Sequence, residues 1–303
     1  MPFFIKVMDR ALKIIDGLKL QNMVCVFDQA IYSKAVEIKW KEPHKFKNVF
    51  IMLGMFHMLM MFMGILSKRF AAAGVRDILV QSNTISEGSV DQALCGKQYN
   101  RGVRCYKLLY ESVMRRVLEE IKMEAGDIIY IDEFENIQSN EDFIKKYTEF
   151  LDFREALENG SPLQRFWMSF LEMSEILLNT IYSLRSGHFE LLVECIRLII
   201  PFAFAYDHVN YARYLTAMLA DLLKLPDEFP NIYEEFMNGN FVAQLTDGTK
   251  FSGVETDKVI EMTLNKDTKT PGNTNNNIIF ISSKIYISCR PLFALPYNLN
   301  CIS

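Results

Sequence analysis

The sequence lacks closely spaced cysteines and any surplus of positive charge. Its six cysteines are scattered over 303 residues without a CxxC pair, so the spacing disfavours a zinc site or a disulfide framework and indicates free thiols in a reducing compartment. The 33 Lys and Arg residues are outnumbered by 37 Asp and Glu residues, so no overall basic field attracts nucleic acid or anionic membranes. We expect an intracellular protein, nuclear or cytoplasmic.

Several common motifs are also absent, namely GxGxxG, the P-loop, GxSxG and HExxH. Nucleotide-binding and hydrolase families that depend on these motifs are therefore disfavoured. Half of the residues are hydrophobic and 23% are charged, which is the composition of a globular protein that buries a sizeable core. This balance excludes a disordered chain, a collagen-like chain and a coiled coil.

Long apolar runs are scarce, and the most ambiguous one extends from Val49 to Leu66. It reaches the lower limit for a membrane span. The alternative is a buried strand over residues 48–53 followed by a buried helix over residues 56–66. We favour this alternative because Gly54 is a natural break between two elements and His57 would be costly near the centre of a bilayer.

The clearest fold signal is a strand–helix–strand unit. Residues 23–28 are typical of a short buried strand, residues 29–40 of a helix and residues 48–53 of a second strand, which predicts a parallel pair with a crossover connection. Most of the remaining pattern is helical, with a short hairpin predicted around Asp247 and Gly248. The expected fold class is therefore α/β but predominantly helical, with a small parallel core and a large helical insertion.

The domain prediction follows from a change in composition near the C-terminus. Residues 1–270 are expected to form one mostly helical domain. Residues 271–303 begin with the polar string PGNTNNN and end in an apolar stretch, so they are expected to be a low-complexity linker and a poorly packed tail.

Two candidate site residues follow the predicted parallel strands. Asp28 closes the first strand, at the sheet edge where α/β proteins collect active-site groups, and it could bind a divalent metal or act as a base. The alternative is that Asp28 caps the next helix. His57 follows the second strand and could be a ligand or an acid–base group, although a buried structural histidine is the alternative.

A third candidate lies in the string FAYDHVNYARYL. Asp207 and His208 form a polar pair between two helices, with tyrosines and Arg213 nearby. Tyr211 could stack on a base while Arg213 contacts a phosphate. The alternative is an inter-helix corner in which Asp207 caps the second helix.

Glu261 lies on a predicted helix that begins near Thr256. A helical glutamate is usually only solvated, and Glu261 shares a polar face with Asp257 and Asn265. Close to it in the sequence, Lys258, Lys266 and Lys269 form a small basic cluster that could meet a phosphate backbone.

The best basic patch lies in the string GKQYNRGVRCYK. Lys97, Arg101, Arg104 and Lys107 recur at steps of three or four residues, with Tyr99 and Tyr106 between them. This spacing could create a face that contacts nucleic-acid phosphates, and a solvated helix face is the alternative. The residues proposed for nucleic-acid contact are listed together: Lys97, Arg101, Arg104, Tyr211 and Arg213.

Several strings together resemble a known group of proteins. They are VFDQAIYSKAVEI, the FH of GMFHM, GSVDQALCGKQYNRGVR, FWMSFLEMSEILLNTIYSLRSG, FAYDHVNYARYL, YEEFMNGNF and DKVIEMTLNKDTK. The group consists of uncharacterised animal proteins that recur in many copies within cnidarian, mollusc, arthropod and fish genomes. The resemblance covers residues 5–272 and implies descent from mobile elements, with no established activity. It also implies that this chain is truncated at its N-terminus.

The leading hypothesis is a transposon-derived protein with a degenerate RNase H-like core. In such transposases, two aspartates and a glutamate hold two Mg²⁺ or Mn²⁺ ions that cleave phosphodiesters. Asp28 would be one metal-binding aspartate and Glu261 the glutamate, with His57 beside them and their carboxylates within roughly 8 Å of each other. The other aspartate is expected on an upstream strand that this chain lacks, so this copy is expected to be inactive.

The alternative hypothesis is a helical interaction module without catalysis. In this interpretation Asp28 and Asp207 are helix caps, and the Tyr and Arg surfaces bind protein or nucleic acid, with DNA contacted through local basic patches. A shared pocket containing Asp28, His57, Asp207, His208 and Glu261 would favour chemistry, whereas scattered positions would favour the interaction module.

Overall fold

In the computed structural model of this chain, residues 2–125, 140–244, 251–262 and 285–288 are described. The elements before residue 100 are α1 (Pro2–Leu18), β1 (Met23–Phe27), α2 (Gln29–Lys41), β2 (Val49–Leu53), α3 (Met55–Phe70), a 3₁₀ turn (Ala71–Ala73), α4 (Val75–Gln81) and α5 (Glu87–Leu94). The later helices are α6 (Tyr99–Ala125), α7 (Asn140–Glu158), α8 (Pro162–Ser186), α9 (Phe189–Ala205), α10 (Val209–Leu223), α11 (Leu225–Glu228), α12 (Pro230–Met237) and α13 (Thr256–Met262), and the later strands are β3 (Ala243–Gln244), β4 (Gly253–Val254) and β5 (Ile285–Ser288).

The predicted parallel pair is confirmed. β1 and β2 pair in parallel, with Met23 opposite Val49 and Phe27 opposite Leu53. All five residues of β2 are buried, as expected for a strand covered on both faces. The fold is therefore predominantly helical around a small parallel core, as the sequence predicted.

The third strand of this sheet comes from the predicted tail. β5 pairs antiparallel with β1, so that Phe27 lies opposite Ile285, and the strand order is β2–β1–β5. The sequence predicts a low-complexity linker and a poorly packed tail for residues 271–303. The apolar, β-prone character of the tail is consistent with its pairing at this edge.

The chain divides into two compact units. Unit 1 contains residues 1–59 and 179–303, and unit 2 contains residues 60–178. The sequence predicts one domain over residues 1–270, because its composition does not change at residue 60 or residue 178.

The core of unit 1 is built around the sheet and is rich in aromatic side chains. The ring of Phe50, on β2, packs edge-on against Phe229 and Phe236, with centroids 5.7 Å and 6.2 Å away. Phe236 also packs against Phe189 at 5.2 Å. Such edge-to-face pairs contribute beyond the area they bury, and here they fix α9 and α12 against the sheet.

Unit 2 has its own core of helices. Phe70 packs edge-on against Phe166 and Phe170, at centroid distances of 5.2 Å and 5.3 Å. In the same unit, the Arg154 guanidinium donates two hydrogen bonds to the Glu175 carboxylate, at 3.1 Å and 3.0 Å. The Tyr110 hydroxyl donates to the same carboxylate at 3.0 Å, so this half-buried acid joins α6, α7 and α8.

The apolar run from Val49 to Leu66 forms a strand followed by a helix, as predicted. Its strand is wholly buried, and Met58, Phe62 and Leu66 in α3 have no exposed surface. None of the described helices is by itself long and apolar enough to cross a membrane. By length and composition alone, α3 with its 3₁₀ turn meets that test together with α4, across a bend of 78°.

One helix contains an internal proline. α9 continues through Pro201 to Ala205. Proline removes the donor that would bond the carbonyl of Arg197. Pro201 and Arg197 are both exposed, so water can satisfy that carbonyl and the helix persists.

Candidate functional site

Asp28 lies at the carboxyl end of β1 and caps α2. Its backbone is extended (φ −63°, ψ 164°), and its Oδ1 atom accepts a hydrogen bond from the Ile31 amide at 2.9 Å. This is the geometry of an N-cap, which satisfies one of the amides that a helix start leaves unpaired. The capping alternative from the sequence is therefore confirmed, and Asp28 remains half-buried at the sheet edge.

The start of α3, directly after β2, is capped by an acid that was not among the predicted site residues. Asp257, in the first turn of α13, accepts hydrogen bonds from the amides of Phe56 at 3.0 Å and His57 at 3.1 Å. Both amides belong to the first turn of α3. Asp257 therefore acts as an N-cap from 200 residues away in the chain, and no local sequence pattern could indicate this.

Gly54 makes this approach possible. A Cβ atom at Gly54 would lie 2.3 Å from Oδ2 and 2.6 Å from Cγ of Asp257. Both distances are far shorter than van der Waals contact. The glycine that the sequence analysis interpreted as a break between two elements is thus also the gap through which the carboxylate reaches α3.

The imidazole of His57 completes the contact with Asp257. Nδ1 of His57 lies 2.9 Å from Oδ2 of Asp257, and the two side chains are 28% and 6% exposed. Because a carboxylate only accepts, Nδ1 carries the hydrogen in this contact. A carboxylate that accepts from Nδ1–H in this way fixes the orientation and the tautomer of the ring. The aspartate of a Ser-His-Asp triad does the same for its histidine.

Tyr211, on α10, lies in the same neighbourhood. Burial and the carboxylates of Asp257 and Asp28 raise the pKa of Tyr211 above its ordinary value, so its phenol stays protonated. The ring of His208 lies 6.5 Å from that of Tyr211, edge-on. We call Asp28, His57, Tyr211 and Asp257 the carboxyl-edge cluster.

A small pocket adjoins the cluster. It has a volume of about 10 Å³, which is room for a single water. Its polar lining comes from Glu255, Thr256 and Asp257, and its apolar lining includes Leu53 at the end of β2. It is too small for an organic substrate.

Lys258 is buried beside this pocket. Its Nζ atom lies 3.4 Å from Oε2 of Glu255, with side-chain exposures of 9% and 2%, and 5.7 Å from the centre of the Phe56 ring. The sequence analysis placed Lys258 in a basic cluster that could meet phosphates. Its burial against Glu255 and Phe56 contradicts that interpretation, and Lys266 and Lys269 lie outside the described residues.

The pair Asp207 and His208 is only partly joined to the cluster. Asp207 is exposed and adopts a left-handed conformation (φ 59°) at the end of α9. The N-cap position of α10 is His208 rather than Asp207, and the His208 side chain makes no capping hydrogen bond there. The predicted Asp207 cap is therefore wrong, while Arg213 is exposed on α10.

The backbone of Glu261 belongs to α13, and its side chain lies outside the described residues. Its separation from Asp28 therefore stays a prediction. Of the four polar residues that the sequence proposed to share a pocket and whose side chains are described, Asp28 and His57 lie in the cluster, His208 borders it, and Asp207 points to solvent.

The described donors do not fit a two-metal site. Asp28 has one oxygen bonded to an amide, and both oxygens of Asp257 accept backbone hydrogen bonds. Within the described ranges, no three His, Cys, Asp or Glu side chains are grouped as a metal ion requires. The acids are arranged to cap helices.

The predicted basic patch lies in unit 2, at the start of α6. Lys97, Arg101 and Arg104 are exposed. The two tyrosines between them are not, because Tyr99 is 9% exposed and Tyr106 is fully buried. The sequence suggested these tyrosines as part of a contact face, and their burial rules out stacking on a base.

Comparison with known proteins adds one finding. A family model described as a domain of unknown function (DUF8702) matches residues 4–286. The match includes both strands of the parallel pair and the carboxyl-edge cluster. No curated protein and no solved structure matches the chain.

Proposed function

The chain belongs to the DUF8702 family, and we propose that it is a mobile-element-derived domain with a degenerate RNase H-like core that binds nucleic acid without cleaving it. Its ancestry is supported by the strings that resemble multi-copy animal proteins. It is also supported by the parallel pair β1–β2, with Asp28 and His57 directly after the two strands. Enzymes with parallel sheets gather their reactive groups at this edge.

One observation carries the non-catalytic part of the proposal. Both carboxylate oxygens of Asp257 are hydrogen-bonded to the first-turn amides of α3, and Oδ2 also meets His57. Two-metal cleavage requires carboxylates that are available to hold ions about 4 Å apart. Moving Asp257 onto a metal would leave those amides without their partner, at a cost comparable to the loss of a helix cap.

The binding part of the proposal rests on charge. The chain as a whole is acidic, so binding depends on local surfaces where cations are concentrated and exposed. The exposed Lys97, Arg101 and Arg104 in unit 2, and the exposed Arg213 in unit 1, provide such cations. Lys258 does not contribute, because it is buried.

The test combines a cleavage assay and a binding assay on the full chain. We expect duplex or single-stranded DNA to be bound, and to remain intact after incubation with Mg²⁺ or Mn²⁺. Asp28→Asn, Asp257→Asn and Glu261→Gln are the informative variants, since they cover both acids of the cluster and the predicted glutamate. The DNA should remain intact with each variant as it does with the wild-type chain, while Asp257→Asn should lower the unfolding midpoint.

Metal-dependent cleavage that is lost in a folded Asp28→Asn or Glu261→Gln variant would overturn the non-catalytic assignment. Arg197→Gln, which changes an exposed charge on α9 outside the cluster, is the control for contaminating nuclease. A wild-type chain that binds neither DNA nor RNA would overturn the binding assignment. The result of the cleavage assay and the result of the binding assay are independent of each other.

A further inference from the structure

Positive charge is concentrated in one short segment of unit 2. Between Lys97 and Arg116 lie six of the 33 Lys and Arg residues but only one of the 37 Asp and Glu residues. The whole chain has a net charge of −4. This segment therefore differs sharply from the rest of the protein, and it lies at the start of the long helix α6.

The helix arranges these cations on its outer face. Arg101, Arg104 and Arg115 are spaced by steps of three and eleven residues, which return to nearly the same side of an α-helix. All three are exposed, as is Lys97 just before the helix. The opposite side, with Cys105, Tyr106, Leu109 and Val117, is buried in the core of unit 2. We call Lys97, Arg101, Arg104 and Arg115 the basic stripe.

Within the described ranges, no acid forms a close ion pair with a stripe cation. Lys107 and Arg116, which lie outside it, pair with Glu111 and Glu119 at 3.7 Å and 2.8 Å. Among the described residues, the four stripe cations make no ion pair, and Arg101 only donates to the amide oxygen of Gln98 at 2.9 Å. Four cations without a close acidic partner repel one another on the same face, and a polyanion relieves that repulsion.

The geometry points to the phosphate backbone of a nucleic-acid duplex as the ligand of this stripe, and we infer that it binds duplex DNA without regard to sequence. This inference rests on the proposed nucleic-acid function. From Arg101 to Arg115 the stripe extends about 21 Å along the helix. That exceeds the width of about 12 Å of the major groove of DNA, so a helix lying across the groove brings cations to both strands.

Burial of the tyrosines decides between backbone and base contacts. Proteins that hold single strands stack bases on exposed aromatic rings, but Tyr99 and Tyr106 face the core. The exposed apolar side chain along the stripe is Leu108, which is 37% exposed. Phosphate contacts alone carry little sequence information, so binding should depend strongly on salt and only weakly on sequence.

The experiment measures the affinity of the full chain for duplex DNA between 50 mM and 200 mM salt. Four phosphate contacts predict that log K falls with log salt at a slope of about −3.6, so affinity falls about a hundredfold over this range. The variant Lys97→Gln/Arg101→Gln/Arg104→Gln/Arg115→Gln should bind much more weakly and lose most of that slope. Two unrelated duplex sequences should give the same result.

A matched control separates the stripe from net charge. Lys34→Gln/Lys41→Gln/Arg197→Gln/Lys224→Gln removes the same charge from exposed positions in unit 1, and it should keep most of the affinity and slope. Circular dichroism and thermal unfolding check that both variants fold. Equal loss in the two variants, or full DNA binding by the stripe variant, overturns the stripe assignment while leaving the proposed function intact.

The same assay measures binding to other anionic ligands. Duplex RNA and single-stranded DNA of equal length should bind less tightly than duplex DNA. If binding to vesicles that contain phosphatidylserine requires the stripe and binding to duplex DNA does not, the surface is a membrane contact and the inference is wrong. If the wild-type chain binds no nucleic acid, the proposed function fails together with it.

Discussion

Nδ1 of His57 lies 2.9 Å from Oδ2 of Asp257, although 200 residues separate them in the chain. The same carboxylate accepts the amides of Phe56 and His57. One buried acid thus satisfies three donors at the start of α3. Since an unmet buried donor is costly, this contact holds α13 against the carboxyl edge of the sheet.

Replacing Asp257 should therefore destabilise the fold. We expect Asp257→Ala to lower the free energy of unfolding by about 3 kcal/mol, because it removes a helix cap and a charge-assisted contact from a buried position. Chemical denaturation of the full chain measures the loss. Asp152→Ala, at an exposed acid, should change stability by no more than about 0.5 kcal/mol. A similarly small effect of Asp257→Ala would mean that the cap contributes little.

Gly54 and Asp257 should be energetically coupled. In the wild-type chain, Gly54→Ala places a Cβ atom 2.3 Å from Oδ2 of Asp257, and overpacking of this kind costs about 2 kcal/mol. In an Asp257→Gly background the obstructing carboxylate and Cβ are gone, so the same substitution should cost much less. A double-mutant cycle measured by denaturation gives the coupling. If the effects of Gly54→Ala and Asp257→Gly on stability are additive, then the clash at Gly54 is relieved by a shift of other atoms.

The sequence predicts Asp28 as a site residue but does not indicate Asp257, and the reason is physical. Asp28 was identified because an acid that follows a strand and precedes a helix is a local pattern. Asp257 was missed because its donors lie 200 residues away, and only the folded chain brings them together. Glu261 was chosen from the same helix, one turn away, because helical position alone could not show which acid faces the sheet.

The same distinction applies to the fold. The strand–helix–strand unit was predictable because short apolar runs and helical periodicity are local signals. The pairing of β5 with β1 and the division into two units depend on contacts between distant segments. Burial of Tyr99 and Tyr106 beside exposed arginines was equally hidden, because the tyrosines and the arginines alternate along the sequence and only the helix separates them into two faces.

Asp221, on α10, should make stability depend on pH. Burial raises the pKa of Asp221 above its ordinary value, although the nearby Lys39 opposes this, and burial also lowers the pKa of Lys39. A carboxyl with a raised pKa in the folded state favours folding most when it is protonated, below its unfolded pKa of about 3.9. That contribution is lost as pH rises through the folded pKa.

Asp221→Asn should therefore be more stable than the wild-type chain at neutral pH. Because the amide stays neutral, the advantage should shrink as pH falls toward about 4, where the wild-type carboxyl is also protonated. Denaturation midpoints of both proteins between pH 4 and pH 8 measure the difference. Asp152→Asn provides the exposed control. An advantage that stays constant across this range, or a loss at neutral pH, would contradict the raised pKa.

Two fully buried tyrosines should respond differently to loss of their hydroxyl groups. Tyr106 donates to the carbonyls of Leu94 at 3.0 Å and Met63 at 3.3 Å. The hydroxyl of Tyr32 is also buried but has no hydrogen-bond partner among the described residues, and its ring packs edge-on against Tyr214. Both rings are 0% exposed, so the hydrogen bonding is the main difference between them.

Tyr106→Phe should lower the free energy of unfolding by about 1.5 kcal/mol, because it removes the hydrogen bonds of a buried hydroxyl to the carbonyls of Leu94 and Met63. Tyr32→Phe should leave stability unchanged or raise it by about 1 kcal/mol, because it removes a polar group that is buried without a partner. The two variants delete the same atom from equally buried rings, so denaturation under identical conditions compares them directly. If Tyr32→Phe destabilises the chain as much as Tyr106→Phe does, then a bound water satisfies the Tyr32 hydroxyl, and that hydroxyl is part of the packing between α2 and α10.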